Sequence, residues 1–288
     1  MKDFLALDNR LNDWGPQGRR EGEVLVFAIG NPNEGHGPAL PRDNDLRCAQ
    51  FVASRACERT GARFVAMIPY ATDRVGDIAR HWSPAYLPWD VCAEKSSEFV
   101  RAHCRWLRDT GARFSRVVIV NGHGGNQGID QHPAWAKVQT EFAIGPIAFA
   151  FSIQEDLGPA IAMLEPLSPE TRDAYRAVKS GHADTLEHSV AMLYHGLDLG
   201  KLTGLNRRLT MQGTDAALRE YPPIGGLAGY LKFGDARFDP LRAIPSLVEC
   251  WRQFEADGQI LLYPELARAV MDRSIQAVVQ TIGAPVGS

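Results

Sequence analysis

Two apolar runs constrain this chain more than any other feature. Residues 24–29 (Val-Leu-Val-Phe-Ala-Ile) and 117–120 (Val-Val-Ile-Val) are β-branched or apolar throughout and are bounded by turn residues. Runs of this kind are buried on both faces, as strands of a parallel sheet are. Each run hands over to polar chemistry. After the first come Glu34-Gly35-His36 and, nine residues on, Asp45; after the second comes Asn121-Gly122-His123-Gly124-Gly125-Asn126. Ligands of an α/β sheet gather outside the carboxyl ends of its strands. Glu34, His36, Asp45 and His123 are therefore expected to converge on one metal site in an enzyme.

With 288 residues, 45% of them hydrophobic, the chain can bury a full core. Its formal charge of -3 comes with no run of Lys or Arg and no acidic tail, so electrostatics gives no argument for nucleic acid or an anionic membrane as partner. No stretch approaches the roughly 20 apolar residues of a transmembrane helix. The start, Met1-Lys2-Asp3-Phe4, lacks a charged-then-apolar signal pattern. The five cysteines (48, 57, 92, 104, 250) are odd in number and show no C-x-x-C spacing. Free buried thiols in a reducing cytoplasm are the simplest expectation.

Helix and strand patterns alternate through the first half, which argues for βαβ units. Residues 46–59 read as a helix stopped by Gly61, residues 64–68 as a strand, and residues 94–109 as a second helix ending at Gly111. A short helix at 134–141 and a strand at 146–151 follow. Residues 158–169, interrupted by Pro, read as a surface connection; 187–195 and 264–282 read as helices. The glycine-rich stretch from 221 onward shows no clear period, and 224–234 in particular has none that suits a helix or strand. No linker divides the chain, so residues 1–288 are expected to form a single domain with an elaborated second half.

Glu34 and His36, two apart on an extended segment, point to one side. A carboxylate and an imidazole suit zinc, manganese or iron, and the lack of thiolates argues against a closed structural zinc site. Asp45 has two oxygens and can bridge two ions, which in two-metal sites lie about 3.5–4 Å apart. Other motifs fail: Gln127 breaks a G-x-G-x-x-G reading, and neither H-E-x-x-H nor G-x-S-x-G occurs. A third stretch, Gly181-His182-Ala183-Asp184-Thr185-Leu186-Glu187-His188-Ser189, admits two readings. Asp184 and Glu187 have the spacing of an N-cap and its capping-box partner. Alternatively, Glu187 is a further metal ligand and His182 a polar group aimed at substrate.

At these words the sequence resembles the creatininase (creatinine amidohydrolase) family. The family pattern E-x-H-G-x-H-L-P-x-x-T-D is met by Glu34-Gly35-His36-Gly37-Pro38-Ala39-Leu40-Pro41-Arg42-Asp43-Asn44-Asp45. The N-G-H-G-G-N word is complete at 121–126, and H-A-G-x-x-E-T-S is matched by His182, Ala183, Glu187 and Ser189. The resemblance implies a three-layer α/β/α sandwich with a mostly parallel central sheet and two divalent ions. Glu34, His36, Asp45 and His123 would be ligands, with Asp45 bridging and Glu187 on the second metal. Departures stand at Ala39 for a histidine, Asn44 for a threonine, Asp184 for a glycine and His188 for a threonine. Creatinine-hydrolysing members have a glutamate ligand two residues after the histidine, where this chain has Gly125.

The expected function is a two-metal hydrolase in which an activated water attacks a carbonyl of a small, polar, cyclic molecule. Catalytic roles fall on His182, for proton transfer or carbonyl polarisation, and on Glu187. The resemblance favours C–N cleavage of a cyclic or formyl amide, not creatinine itself. The alternatives are C–C cleavage of a cyclic diketone such as a keto-inositol, and a non-catalytic metal- or phosphate-binding protein. Residues 69–90, holding Tyr70, Asp73, Arg74, Asp77, Arg80, His81, Trp82, Tyr86 and Trp89, should overhang the site. Family members form ring-like homo-oligomers, commonly hexamers. The loop 82–89 and the stretch 224–234 are expected at or near such a contact.

Overall fold

The computed structural model describes residues 23–153 and 156–283; the reading of residues 1–4 lies outside them. Four strands form a wholly parallel sheet: β1 (Glu23–Ile29), β2 (Arg63–Ile68), β3 (Phe114–Asn121) and β4 (Ala148–Phe151), in the order β2-β1-β3-β4. Helices α1 (Asn44–Thr60), α2 (Trp89–Asp109) and α3 (Ala134–Phe142) alternate with them. Beyond β4 come α4 (Gly158–Ala162), α5 (Pro169–Ala177), α6 (Thr185–Ala191) and α7 (Leu199–Gln212). Then follow α8 (Thr214–Glu220), α9 (Ile224–Phe233), α10 (Asp239–Arg242), α11 (Pro245–Asp257) and α12 (Pro264–Gly283).

The two apolar runs are central neighbours, with Leu25 opposite Val117 and Ile29 opposite Asn121. Strand alternation splits their side chains between two cores. Val26, Ala28, Val118 and Val120 pack with α1, α4, α6 and α12, whereas Leu25, Phe27, Ile29, Val117 and Ile119 pack with α2 and α3. Burying each large aliphatic or aromatic side chain contributes roughly 1.5–3 kcal/mol. Covered sheet faces on both sides are the three layers expected. The strand order reverses between β1 and β3, and a crevice opens at such a switch point. Glu34 and His123 follow those two strands.

Most element readings hold. Gly61 and Gly111 both have left-handed φ, and the Gly61 N–H caps α1 on the Cys57 carbonyl. Helix α2 starts at Trp89, ahead of the expected 94, directly after Pro88, whose extended ψ of 147° marks the helix boundary. The helix read over 187–195 starts at Thr185 and tightens after Ala191 into a turn that ends at His195.

Two readings fail. Residues 158–169 are not simply a connection: α4 lies there, with Ala160 and Ile161 buried. Pro159 belongs to the first turn, where proline starts a helix as readily as it stops one. Residues 224–234 carry α9, although Gly225, Gly226 and Leu227 inside it are left-handed. Ile224, Leu227, Ala228, Gly229 and Leu231 are all buried, so no polar face exists to give the stretch a helical period.

No helix among the described residues is long and apolar enough to cross a membrane. All five cysteines are buried and none is in a disulfide, as expected. Burial pushes the thiols of Cys48, Cys57, Cys92 and Cys104 up to about 12.

The first turn of α1 rests directly on the ends of the two central strands. A Cβ at Gly30 would meet the backbone of Asp45 and Leu46, and one at Gly122 would overlap the Asp45 carbonyl. Gly122→Ala should therefore destabilise the protein by about 1–3 kcal/mol in urea unfolding. Gly124→Ala, where a Cβ meets nothing within 4 Å, should stay within about 0.5 kcal/mol of the parent. Equal stability of the two variants would show that α1 is not seated as described.

Candidate metal centre

The segment after β1 is pinned on both sides before it delivers any chemistry. The Glu34 N–H donates to the Arg42 carbonyl (2.7 Å) and the Gly35 N–H to the Trp82 carbonyl (2.6 Å). Glu34 and His36 are each 1% exposed. Asp45 lies in the first turn of α1, where the helix N-terminus favours a carboxylate. After β3, the Asn121 side-chain oxygen accepts from the His123 N–H (3.1 Å) and from the Asn126 side chain (3.3 Å). Asn126 in turn accepts from the Thr72 N–H (3.0 Å), which fixes the loop after β2 against the histidine.

These clamps bring the side chains together. One Asp45 oxygen is 3.1 Å from Nε2 of His36 and the other 2.7 Å from Nδ1 of His123. Glu34 Oε2 lies 3.2 Å from the same Nδ1. Glu187 Oε2 lies 3.8 Å from Nε2 of His36, and Nδ1 of His182 lies 3.5 Å from Glu34 Oε1. The rings of His36 and His182 are 4.5 Å apart. Two donor triads, Glu34–Asp45–His123 and His36–Asp45–Glu187, share Asp45; a third set is Glu34–His36–His182.

Tautomers follow from the far side of each ring. His123 Nε2 meets the Thr72 carbonyl (3.0 Å), His182 Nε2 the Gly35 carbonyl (2.7 Å) and His36 Nδ1 the Glu34 carbonyl (3.3 Å). A carbonyl only accepts, so those nitrogens carry the hydrogens. The other nitrogen of each neutral ring is then a bare lone pair, and all three face carboxylates. Lone pairs aimed at anions repel unless a cation or a proton stands between them. Glu34 Oε2, fully buried, makes no hydrogen bond although Nδ1 of His123 is 3.2 Å away. Buried imidazoles tied through one nitrogen to a backbone carbonyl are the usual outer support of a metal site. The residues present fit divalent cations.

Electrostatics separates the carboxylates. Burial and the neighbouring Asp45 hold Glu34 and Glu187 well above the usual carboxylate range. Burial works against ionisation of Asp45 too, but His36 and His123 overcome it and keep that carboxyl far below the usual range. Burial would depress His123, yet its hydrogen bond to Asp45 raises it overall. Burial, then the adjacent His36, pushes His182 down to about 3, so this ring is neutral.

The two readings of the third stretch turn out to be compatible. Asp184 caps α6 by accepting from the Glu187 N–H (2.8 Å). The Glu187 carboxylate accepts from the Ala183 N–H (2.7 Å) rather than from the cap residue, and still reaches the cluster. The departures from the family words serve as props. Asn44 accepts from the Tyr194 hydroxyl (2.8 Å), and the buried His188 meets the Asp184 carbonyl (2.7 Å). At Gly125 a Cβ would overlap Nε2 of His123 and crowd the Thr72 carbonyl, so a glutamate cannot enter there without moving the loop.

A cavity of about 450 Å³ opens over the cluster. Of the overhanging segment, Asp73, Arg74, Val75 and Trp82 line it. Tyr70 packs on Phe99, Trp89 on His132, and Arg80 covers Tyr86. Trp82 and Tyr230 are in ring contact at 5.4 Å, so the two stretches assigned to a subunit contact already meet within one chain. Sequence reasoning missed Thr72, Asn121 and Asn126 as clamps; the paired asparagines flanking His123 were the available signal.

The creatininase family model, described as creatinine amidohydrolase, matches residues 16–199. A 2-amino-5-formylamino-6-ribosylaminopyrimidin-4(3H)-one 5'-monophosphate deformylase of Methanothermobacter thermautotrophicus is 38% identical over 104 residues, 36% of this chain and 41% of that protein. The enzyme of the same name from Methanocaldococcus infernus is 27% identical over 160 residues, 54% of this chain and 67% of that one. The chain thus aligns with about two-fifths of the length of the first of these relatives, 41%. A crystal structure of creatinine amidohydrolase superposes with a TM-score of 0.53 at 17% identity, covering 99% of this chain and 96% of the other. A structure described as creatininase Mn gives 0.53 at 16% identity over the same shares, 99% and 96%. These two share the fold. With the family model spanning well over half of its length, the chain belongs to the creatininase (creatinine amidohydrolase) family of hydrolases.

Proposed function

We propose that the protein, acting as one domain, is a two-metal hydrolase that cleaves the C–N bond of a formyl or cyclic amide on a small cyclic metabolite. The observation that carries this reading is the convergence of three imidazoles and three carboxylates, all buried but the half-buried Glu187, beside a cavity that Glu34, Asp45, His123, His182 and Glu187 line. Glu34, Asp45 and His123 would hold one ion and His36, Asp45 and Glu187 the other. Zinc, manganese and iron all suit this nitrogen and oxygen donor set. When bound, such ions supply Lewis acidity and lower the pKa of water from 15.7 to about 7.

The chain's own groups do the rest. His182 has its Nε2–H tied to the Gly35 carbonyl, so its Nδ1 can accept a proton but cannot polarise a carbonyl by donating one. That removes the polarising role and leaves proton transfer, for which burial and His36, pushing the ring down to about 3, make Nδ1 a weak acceptor. Trp82 and the loop that bears it, held down by Tyr230, close one side of the cavity against water. The deformylases named above act on a formylamino group, which supports C–N over C–C cleavage. The buried thiols suit a reducing cytoplasm, and family resemblance supports a closed homo-oligomer.

Metal analysis tests the centre. Asp45→Ala should lose both ions from a parent carrying close to two per chain. Glu187→Gln should drop towards one ion and lose orders of magnitude in turnover, since the amide cannot supply the charge of the carboxylate. Full loading of Asp45→Ala would refute the assignment.

Substrate class is tested by formate release from formylamino heterocycles, run beside creatinine, cyclic imides and keto-inositols. Formyl or cyclic amides should be the best substrates and creatinine a poor one, since Gly125 lacks the carboxylate that creatinine-hydrolysing members carry at that position. Efficient creatinine turnover would show that departure to be irrelevant. Light scattering should report a mass several times 31.7 kDa; an active monomer would defeat the assembly proposal.

A further inference from the structure

The cavity lining has two unlike parts. The side chains that carry reactive chemistry, Glu34 through Glu187, fall inside the span matched by the family model. A second part comes from beyond that span and is aliphatic apart from Ser246: Leu227 of α9, Leu241 of α10, Ile244 after it and Leu247 of α11. Leu227, Leu241 and Leu247 belong to one buried cluster with Trp82, against which Ile244 packs.

Leu227 is the informative member. Its φ of 62° lies in the left-handed region, which costs a residue with a Cβ and is natural for glycine or asparagine. Gly225 and Gly226 before it are left-handed as well, at 62° and 78°. Those two glycines are forced. A Cβ at Gly225 would run into the Phe254 ring, and one at Gly226 would come within 2.7 Å of Cys250 Cβ and 2.8 Å of the Leu247 carbonyl. A leucine at 227 is not explained by backbone need, since glycine there would relax the turn. Its side chain is 3% exposed and forms cavity wall. Strain of this kind persists at sites where it serves the mechanism.

The turn is also fastened to the site. The Gly225 N–H donates to the Ala183 carbonyl (3.0 Å) and the Gly226 N–H to the His182 carbonyl (2.7 Å). The backbone that presents Leu227 is therefore registered to the backbone that presents His182. An aliphatic side chain held in that register can set where a substrate lies relative to the donor cluster.

We propose that Leu227 is a specificity-determining residue: with Ile244 and Leu247, and backed by the fully buried Leu241, it forms a platform for one face of a flat, ring-shaped amide, leaving the reactive carbonyl at the carboxylate–imidazole cluster. The proposal rests on the hydrolase reading for the identity of the reacting group, but the platform itself is a matter of binding. Leu227 offers no reactive atom, so its effect falls on binding and KM rather than on the chemical step. Acyclic amides, which have no flat face, gain nothing from it.

The test uses the full-length, metal-loaded protein and calorimetric binding of two probes, 5-aminouracil as a flat ring and glycinamide as an acyclic amide. Leu227→Gly and Leu227→Asn relax the backbone and remove the aliphatic group; Leu227→Met keeps it. 5-Aminouracil should bind at least about tenfold more weakly to the Gly and Asn variants and near parent strength to Leu227→Met, while glycinamide does not distinguish the four proteins. With 5-formamidouracil, KM should rise in the same two variants with kcat little changed. Parent-like binding of 5-aminouracil to Leu227→Gly and Leu227→Asn overturns the proposal, as does a parent protein that does not bind it. If 5-formamidouracil binds yet yields no formate, the hydrolase reading fails for that class and the platform stands.

Discussion

The carboxylate of Asp45 lies at the amino end of α1 with one oxygen on His36 and the other on His123, and much of the surrounding structure keeps it there. The two histidines follow different central strands, so this side chain joins the two halves of the sheet across the point where strand order reverses. Close seating of α1 on Gly30 and Gly122 leaves no room for it to shift. The two neighbouring glutamates are pushed the other way, towards protonation, by burial and by Asp45 itself. A cluster of three carboxyl groups with opposed tendencies is a site that favours added positive charge.

Much of this could be read from the residues. Continuous β-branched runs at 24–29 and 117–120 announce strands buried on both faces, and the polar words after them fall at the carboxyl ends by necessity. Glu34, His36, Asp45 and His123 were legible because each lies within a few residues of such an end or of the helix start that follows. His182 and Glu187 were less so. Their spacing fits a capped helix equally well, and the structure shows that Asp184 does cap α6 while the Glu187 carboxylate remains turned to the cluster.

What stayed hidden depends on long-range backbone contacts. No local pattern reveals that the Thr72 carbonyl orients His123, or that the Gly35 carbonyl fixes the tautomer of His182. The second half was opaque for a different reason. Helix α9 is buried nearly all round, so the alternation of polar and apolar residues on which helix reading depends is missing. Its left-handed opening, where Gly225 and Gly226 abut α11, looks in sequence like an ordinary glycine-rich loop.

Fastening the His182–Ala183 backbone to the turn at Gly225–Gly226 has a consequence for how much of the chain the site needs. The donor side chains span residues 34–187, but the peptide groups that steady the last of them are synthesised some forty residues later. Residues 34–187 therefore supply every donor side chain without fixing the place of all of them: a chain ending before α9 would leave the carbonyls of His182 and Ala183 without the two N–H groups that hold them.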